Sequence, residues 1–170
     1  MPTPSLVCVD SQSVKLGPMI CEERGLDPNK RVNGRKRQFV VDTQGRLWVA
    51  HVHSANQADG PTSCTLIGDV LWRMGERLEK VLGDQAYNGV FAAELARWSI
   101  DFQKASRPES VLGFVPVAKR WPGRLAVVER TIGWTNFFRR IVKDYEHTVC
   151  SSVSWLYLSN IQIMLQRILN

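Results

Sequence analysis

The sequence predicts an α/β domain, a mixed sheet flanked by helices. Three observations carry this reading. Short runs rich in β-branched and aromatic residues crowd the first third of the chain, at residues 6–9, 39–42 and 47–53. Next, Ile67, Val70, Leu71, Met74, Leu78 and Val81 recur at helical spacing and form one apolar stripe. Strand-like and helix-like segments then alternate to the C-terminus, the pattern of helices laid over a sheet.

The elements follow in order. Residues 6–9 form an apolar strand that ends at Asp10. Residues 17–29 read as a loop, with Gly17-Pro18, Gly25 and Asp27-Pro28 as breakers. A basic cluster, Lys30, Arg31, Arg35, Lys36 and Arg37, surrounds Asn33-Gly34, which suggests a turn. Residues 39–42 and 47–53 flank Thr43-Gln44-Gly45-Arg46 and read as a hairpin. Pro61 or Thr62 starts the striped helix. Residues 81–83 form a short strand into Asp84. Phe91, Ala92, Leu95 and Trp98 mark a helix, residues 100–103 another strand, 127–142 a helix, and 149–169 a long helix with an apolar face.

Composition narrows the function. The chain has 170 residues with 44% hydrophobic and 22% charged content, enough for a single domain over 1–170 with a full core. A net charge of +6 favours a polyanionic partner. Cys8, Cys21, Cys64 and Cys150 are scattered, without a C-x-x-C pair, so the sequence predicts reduced thiols and no zinc site. No apolar stretch is long enough for a membrane span, because Ser159, Asn160, Gln162 and Gln166 interrupt the C-terminal one. No signal peptide is read, and a cytoplasmic protein is expected.

The candidate chemistry lies in three acids. Asp10 and Asp84 each close a strand, and strand ends in α/β sheets are where ligands gather. Taken alone, each is an ordinary turn or cap residue. Glu129 lies on a helix, where Glu129, Gly133, Asn136 and Arg140 share one polar face. Together the three carboxylates would cage hard cations. Mg²⁺ (or Mn²⁺), two ions, suits oxygen ligands and in-line displacement at phosphorus. The basic cluster would then follow a DNA backbone. Trp48, Trp72, Trp98, Trp134 and Trp155 are expected in the core, with Trp121 beside Lys119 and Arg120 as a stacking surface.

Five segments, CVDSQSVK, NGRKRQFVVDTQGRLW, HVHSANQADG, LGDQAYNG and VVERTIGW…RRIVKDYE, stand in this order. In that order the chain resembles bacterial insertion-sequence transposases of the IS5/IS4 type, the DDE class. The resemblance implies an RNase H-like fold, with Asp10, Asp84 and Glu129 as catalytic acids and metal ligands. It implies cleavage at transposon ends and strand transfer into target DNA, two Mg²⁺ or Mn²⁺ ions, double-stranded DNA as partner and a homodimer on DNA. DNA contacts are expected from Lys30, Arg31, Arg35, Lys36, Arg37, Lys119, Arg120, Arg139 and Arg140. His53, Asn56 and Asp59 fit the family's H-x-A-N-x-x-D pattern, and His51 and His53 are expected to order the loop beside the site.

The chain departs from the family in three places. An upstream end-recognition region is expected to be missing, as in a second reading frame alone. The stretch 122–126, Pro-Gly-Arg-Leu-Ala, intervenes before Glu129. Asn136 and Phe137 stand where the family carries a basic residue, so Arg139 or Arg140 would substitute. These departures keep two alternatives open: an RNase H-like nuclease without strand transfer, and a catalytically silent form that binds DNA or full-length transposase.

Overall fold

The computed structural model describes residues 3–104 and 126–169. One six-stranded mixed sheet forms its centre. The strands are β1 (Leu6–Lys15), β2 (Gly25–Asp27), β3 (Val32–Asp42), β4 (Leu47–Ser54), β5 (Lys80–Gly83) and β6 (Asp101–Lys104). β1 runs antiparallel to β3 and parallel to β5, and β6 lies parallel to β5. The far edge of β3 pairs antiparallel with β4 and, at its start, with β2. The helices are α1 (Asp59–Met74), α2 (Val90–Arg97), α3 (Ala126–Thr135), α4 (Arg139–Val142) and α5 (Val149–Leu169).

Alternation along the strands sorts the core into two layers. Val7, Val9, Val40, Val49 and Val81 pack with Leu66, Ile67 and Val70 of α1 and Phe91 and Leu95 of α2. Cys8, Phe39, Val41, Ala50 and Leu82 face the other way, onto Val127, Val128 and Ile132 of α3 and Leu156 of α5. Both faces of the sheet are thus covered, as the apolar runs demand.

The fold class and the hairpin stand as read. Several boundaries are corrected. β1 continues five residues past Asp10, to Lys15, because β3 keeps pairing with it as far as Gly34. Asn33-Gly34 is not a turn but lies within β3. A Cβ on Gly34 would sit 1.9 Å from the Val14 carbonyl oxygen, so only glycine permits this strand contact. Residues 25–27, expected in a loop, form β2. α1 begins at Asp59 and ends at Gly75, whose φ is +61°, so Leu78 lies beyond the helix and Val81 belongs to β5. The single helix expected over 127–142 is broken: α3 stops at Thr135, and α4 begins after an extended Phe138. Trp72 and Trp98 are 83% and 57% exposed rather than core. Lys119, Arg120, Trp121 and residues 122–125 lie outside the described residues.

The basic cluster changes character most. Alternation sends Arg35 and Arg37 to one face of β3 and Lys36 to the other. Arg35 is fully buried and Arg37 is 2% exposed. Both reach Asp144, at 3.5 and 3.4 Å. Arg35 also donates to the carbonyls of Glu22, Glu146 and His147, and Arg37 to that of Ile141. Asp144 in turn accepts from Ser152 Oγ at 2.6 Å, which ties the start of α5 to the sheet. Arg35, Lys36 and Arg37 therefore hold the fold and do not line an exposed DNA path. Removing Asp144 strands two guanidinium ions in the interior. Asp144→Ala is expected to lower unfolding free energy by about 3–5 kcal/mol, read from urea denaturation.

Candidate active site

The register of the sheet brings two of the three acids together. β1 and β5 pair in parallel as Leu6↔Lys80, Val7↔Val81 and Cys8↔Leu82. Asp10 follows Cys8 by two residues within β1, on the same face, and Asp84 follows Leu82 by two residues, just past the end of β5, where its charge acts on Asp10. The β1–β5 pairing stops at Cys8–Leu82, while β1 stays bonded to β3 through Asp10↔Phe39. The β1–β5 pairing therefore ends just short of both carboxylates, at the end of β5 where α/β sheets commonly place their ligand crevice. Gly83 keeps this junction narrow, since a Cβ there would lie 2.9 Å from Val9 Cγ1 and 3.0 Å from the Phe102 ring. Asp84 also caps the turn that follows: its Oδ1 accepts from the Ala86 N–H at 2.9 Å. It is at once a cap and a crevice carboxylate.

Glu129 comes from above the same face. Val127, Val128 and Ile132 anchor α3 in the layer that contains Cys8 and Leu82. Thr131 Oγ1 donates to the Gly45 carbonyl at 3.3 Å, in the β3–β4 turn. Asn136 Oδ1 accepts from Gln12 Nε2 of β1 at 3.0 Å. Glu129, half-buried, lies in the first turn of α3, ahead of both ties, and its charge acts on Asp10. No Cβ on Gly133 would meet any atom within 4 Å, so the helix leaves open space one turn beyond Glu129. The polar face read from the sequence ends at Asn136. Arg140 belongs to α4, where it pairs with Glu146 at 2.8 Å and stacks on Trp155.

The electrostatics are those of crowded carboxylates. Burial pushes the Asp10 carboxyl up to about 7; the Ser11 N–H draws it down, and the charges of Asp84 and Glu129 add to the rise. Burial also raises Asp84, against the Ala86 N–H, and Asp59 raises it further. Lys30 opposes both shifts. Its Nζ lies 3.5 Å from the Ser11 carbonyl oxygen, at the rim of the crevice. Asp59, at the start of α1, stands 3.3 Å from Lys36 Nζ. Among the described residues, no three His, Cys, Asp or Glu side chains lie close enough to enclose a metal ion by themselves. The donors at the crevice are carboxylate oxygens, which fit a hard cation that retains water.

The remaining expected residues are dispersed. Lys30, Arg31 and Arg139 are exposed. His51 Nε2 meets Asp69 of α1 at 2.6 Å, and its Nδ1 lies 3.4 Å from Thr65 Oγ1, so it faces α1. His53 Nδ1 meets the Ser54 carbonyl at 3.0 Å, and burial lowers its pKa. The histidines therefore do not share a site. Sequence reasoning passed over Tyr87, which is 1% exposed and feels the charges of Asp59, Asp10 and Asp84. Its one signal was its place three residues after Asp84, in the turn that Asp84 caps.

A central strand flanked by antiparallel and parallel neighbours, in a mixed sheet covered by helices on both faces, is the arrangement of an RNase H-like fold. The chain matches the model of the transposase DDE domain over residues 1–111, and it belongs to that family. The matched span includes Asp10 and Asp84 and ends before Glu129. Members of the family generally work with divalent metal ions. No curated protein matches the chain. Among solved structures, the simian T-cell lymphotropic virus intasome in complex with PP2A regulatory subunit B56 gamma contains a similar fold. The TM-score is 0.59 at 14% identity, over 92% of this chain and 48% of that one. The chain thus spans about half the length of that neighbour. The piggyBac transposase synaptic complex with hairpin DNA gives a TM-score of 0.42 at 16% identity, over 67% of this chain and 25% of that one. The Mos1 transposase paired-end complex with left transposon end gives 0.40 at 10%, over 58% and 34%. No helix among the described residues is long and apolar enough to cross a membrane.

The raised Asp10 pKa has a stability consequence with a definite sign. Folded Asp10 keeps its proton to about pH 7, whereas the unfolded chain releases it near 3.8. Between these values the folded state binds more protons, so stability falls as pH rises. In metal-free buffer, Asp10→Asn is expected to be more stable than the parent above pH 7, by on the order of a few kcal/mol. The difference should vanish near pH 4, which urea denaturation across that range in chelator will show.

Proposed function

We propose that this chain is the catalytic domain of a bacterial insertion-sequence transposase that cuts DNA at transposon ends and joins them to target DNA. The observation that supports the reading is the parallel pairing of β1 with β5 just ahead of Asp10 and Asp84, together with the action of the Asp84 and Glu129 charges on Asp10. In this reading Asp10, Asp84 and Glu129 hold two Mg²⁺ or Mn²⁺ ions. The ions supply Lewis-acid stabilisation of the charge that gathers at phosphorus during in-line displacement. The protein fixes where that chemistry occurs. β1 holds Asp10 in the middle of a strand bonded on its β3 side, and Ser11 N–H fixes one of its oxygens at 2.7 Å. The Ala86 N–H orients Asp84. α3 presents Glu129 from the covering layer. The exposed Lys30 at the crevice rim is placed to meet a phosphate.

The substrate in this reading is double-stranded DNA in the bacterial cytoplasm, and a homodimer on DNA brings two ends together. The net charge of +6 supports a polyanion. With Arg35, Lys36 and Arg37 buried, backbone contact from the described residues falls to Lys30, Arg31, Arg139 and Arg140. Lys119 and Arg120 remain part of the proposal. A second reading, a silent domain that binds DNA without cutting it, draws on the spread of the carboxylates, which do not close around a metal by themselves.

Asp10→Asn, Asp84→Asn and Glu129→Gln are each expected to reduce Mg²⁺- or Mn²⁺-dependent nicking of supercoiled plasmid to background while the far-ultraviolet circular dichroism spectrum stays unchanged. Retained nicking in any one variant removes that residue from the triad. A duplex with a pre-nicked end separates transposase from nuclease, because only a transposase yields joined products. A parent protein that shifts DNA in a gel but nicks none establishes the silent reading.

A further inference from the structure

Tyr87 lies in the short turn that Asp84 caps (Gln85–Tyr87), and its backbone N–H reaches the Asp84 carbonyl oxygen at 3.3 Å. Its ring is held edge-on by Phe91 at 5.5 Å, which is held edge-on by Phe102 at 5.9 Å. This packing fixes the phenolic oxygen. That oxygen is buried and makes no hydrogen bond among the described residues. Asp59, Asp10 and Asp84 all act on it, Asp59 most strongly, and the Ser11 side chain is the neighbour within its reach. A buried hydroxyl without a partner is destabilising, and a phenylalanine would fill the same space without that penalty. The hydroxyl is therefore a donor held rigidly in the interior, within reach of the charges of Asp59, Asp10 and Asp84, and among the described residues no carboxylate accepts from it.

We propose that Tyr87 is a positioning residue for the acidic crevice. When a divalent cation gathers Asp10 and Asp84, the Tyr87 hydroxyl donates to an oxygen of that cluster and fixes the Asp84 turn against β1. The inference rests on the reading of the acids as cation ligands. Groups that hydrogen-bond metal ligands orient them, and their loss weakens metal binding by roughly 10- to 100-fold. Tyr87 neither binds the ion nor touches substrate in this role.

The test compares Tyr87→Phe with Phe91→Leu, a variant that disturbs the ring packing but leaves the hydroxyl. Mn²⁺ titration calorimetry and thermal unfolding, each with and without Mn²⁺, provide the readouts. Tyr87→Phe is expected to unfold at the same or a higher temperature without metal, yet to bind Mn²⁺ about tenfold more weakly. Phe91→Leu is expected to unfold earlier and to keep the parent's affinity. Unchanged Mn²⁺ affinity in Tyr87→Phe overturns the proposal. Equal weakening in both variants also overturns it, since packing alone would then account for the effect. If the parent protein takes up no Mn²⁺, the cation reading of the acids falls first and this inference falls with it.

Discussion

The pairing of β1 with two unlike neighbours governs the molecule. On one side β3 follows β1 antiparallel along nearly its whole length. On the other, β5 follows it in parallel for only three residue pairs. The inequality makes the site. A strand bonded on both edges would leave no crevice, and a strand bonded on neither could not hold a carboxylate still. Asp10 sits where one edge has been released and the other has not. Everything that covers the sheet then inherits a fixed reference, including α3 and the turn after Asp84.

Charge is used in two opposed ways within the same few strands. On one face of β3, Arg35 and Arg37 converge on Asp144, and the carbonyls of Glu22, Ile141, Glu146 and His147 accept from them, with Arg37 Nε left unpaired among the described residues. That arrangement is closed and nearly saturated, as a buried ionic cluster must be. At Asp10 the balance is reversed: the charges of Asp84 and Glu129 add to the effect of burial, and Lys30 is the described cation that opposes it. The first arrangement gives rigidity. The second leaves negative charge unresolved, which is the condition for recruiting a cation.

Much of this was legible from residue order. The hairpin around Gly45, the bounds of α5 and the strand that runs into Asp84 all follow from periodicity and turn chemistry, whereas the strand expected to end at Asp10 runs on to Lys15. What remained hidden has a common cause, because contacts distant in sequence override local signals. Arg35, Lys36 and Arg37 look like a solvated basic run until Asp144 and Asp59, contributed from elsewhere, are known to receive them. Asn33-Gly34 looks like a turn until the Val14 carbonyl is seen against it. Tyr87 looked like filler in a turn motif, since nothing local shows which charges surround its oxygen. The break after Thr135 had no local signal as strong as proline.

The two ties on α3 carry a further implication. Thr131 holds the helix to the Gly45 turn, and Asn136 holds it to Gln12. Glu129 thus lies on a helix that the sheet beneath it holds in place. The family match ends at residue 111, so the placement of Glu129 over the same face as Asp10 rests on the packing of α3 and not on likeness of sequence.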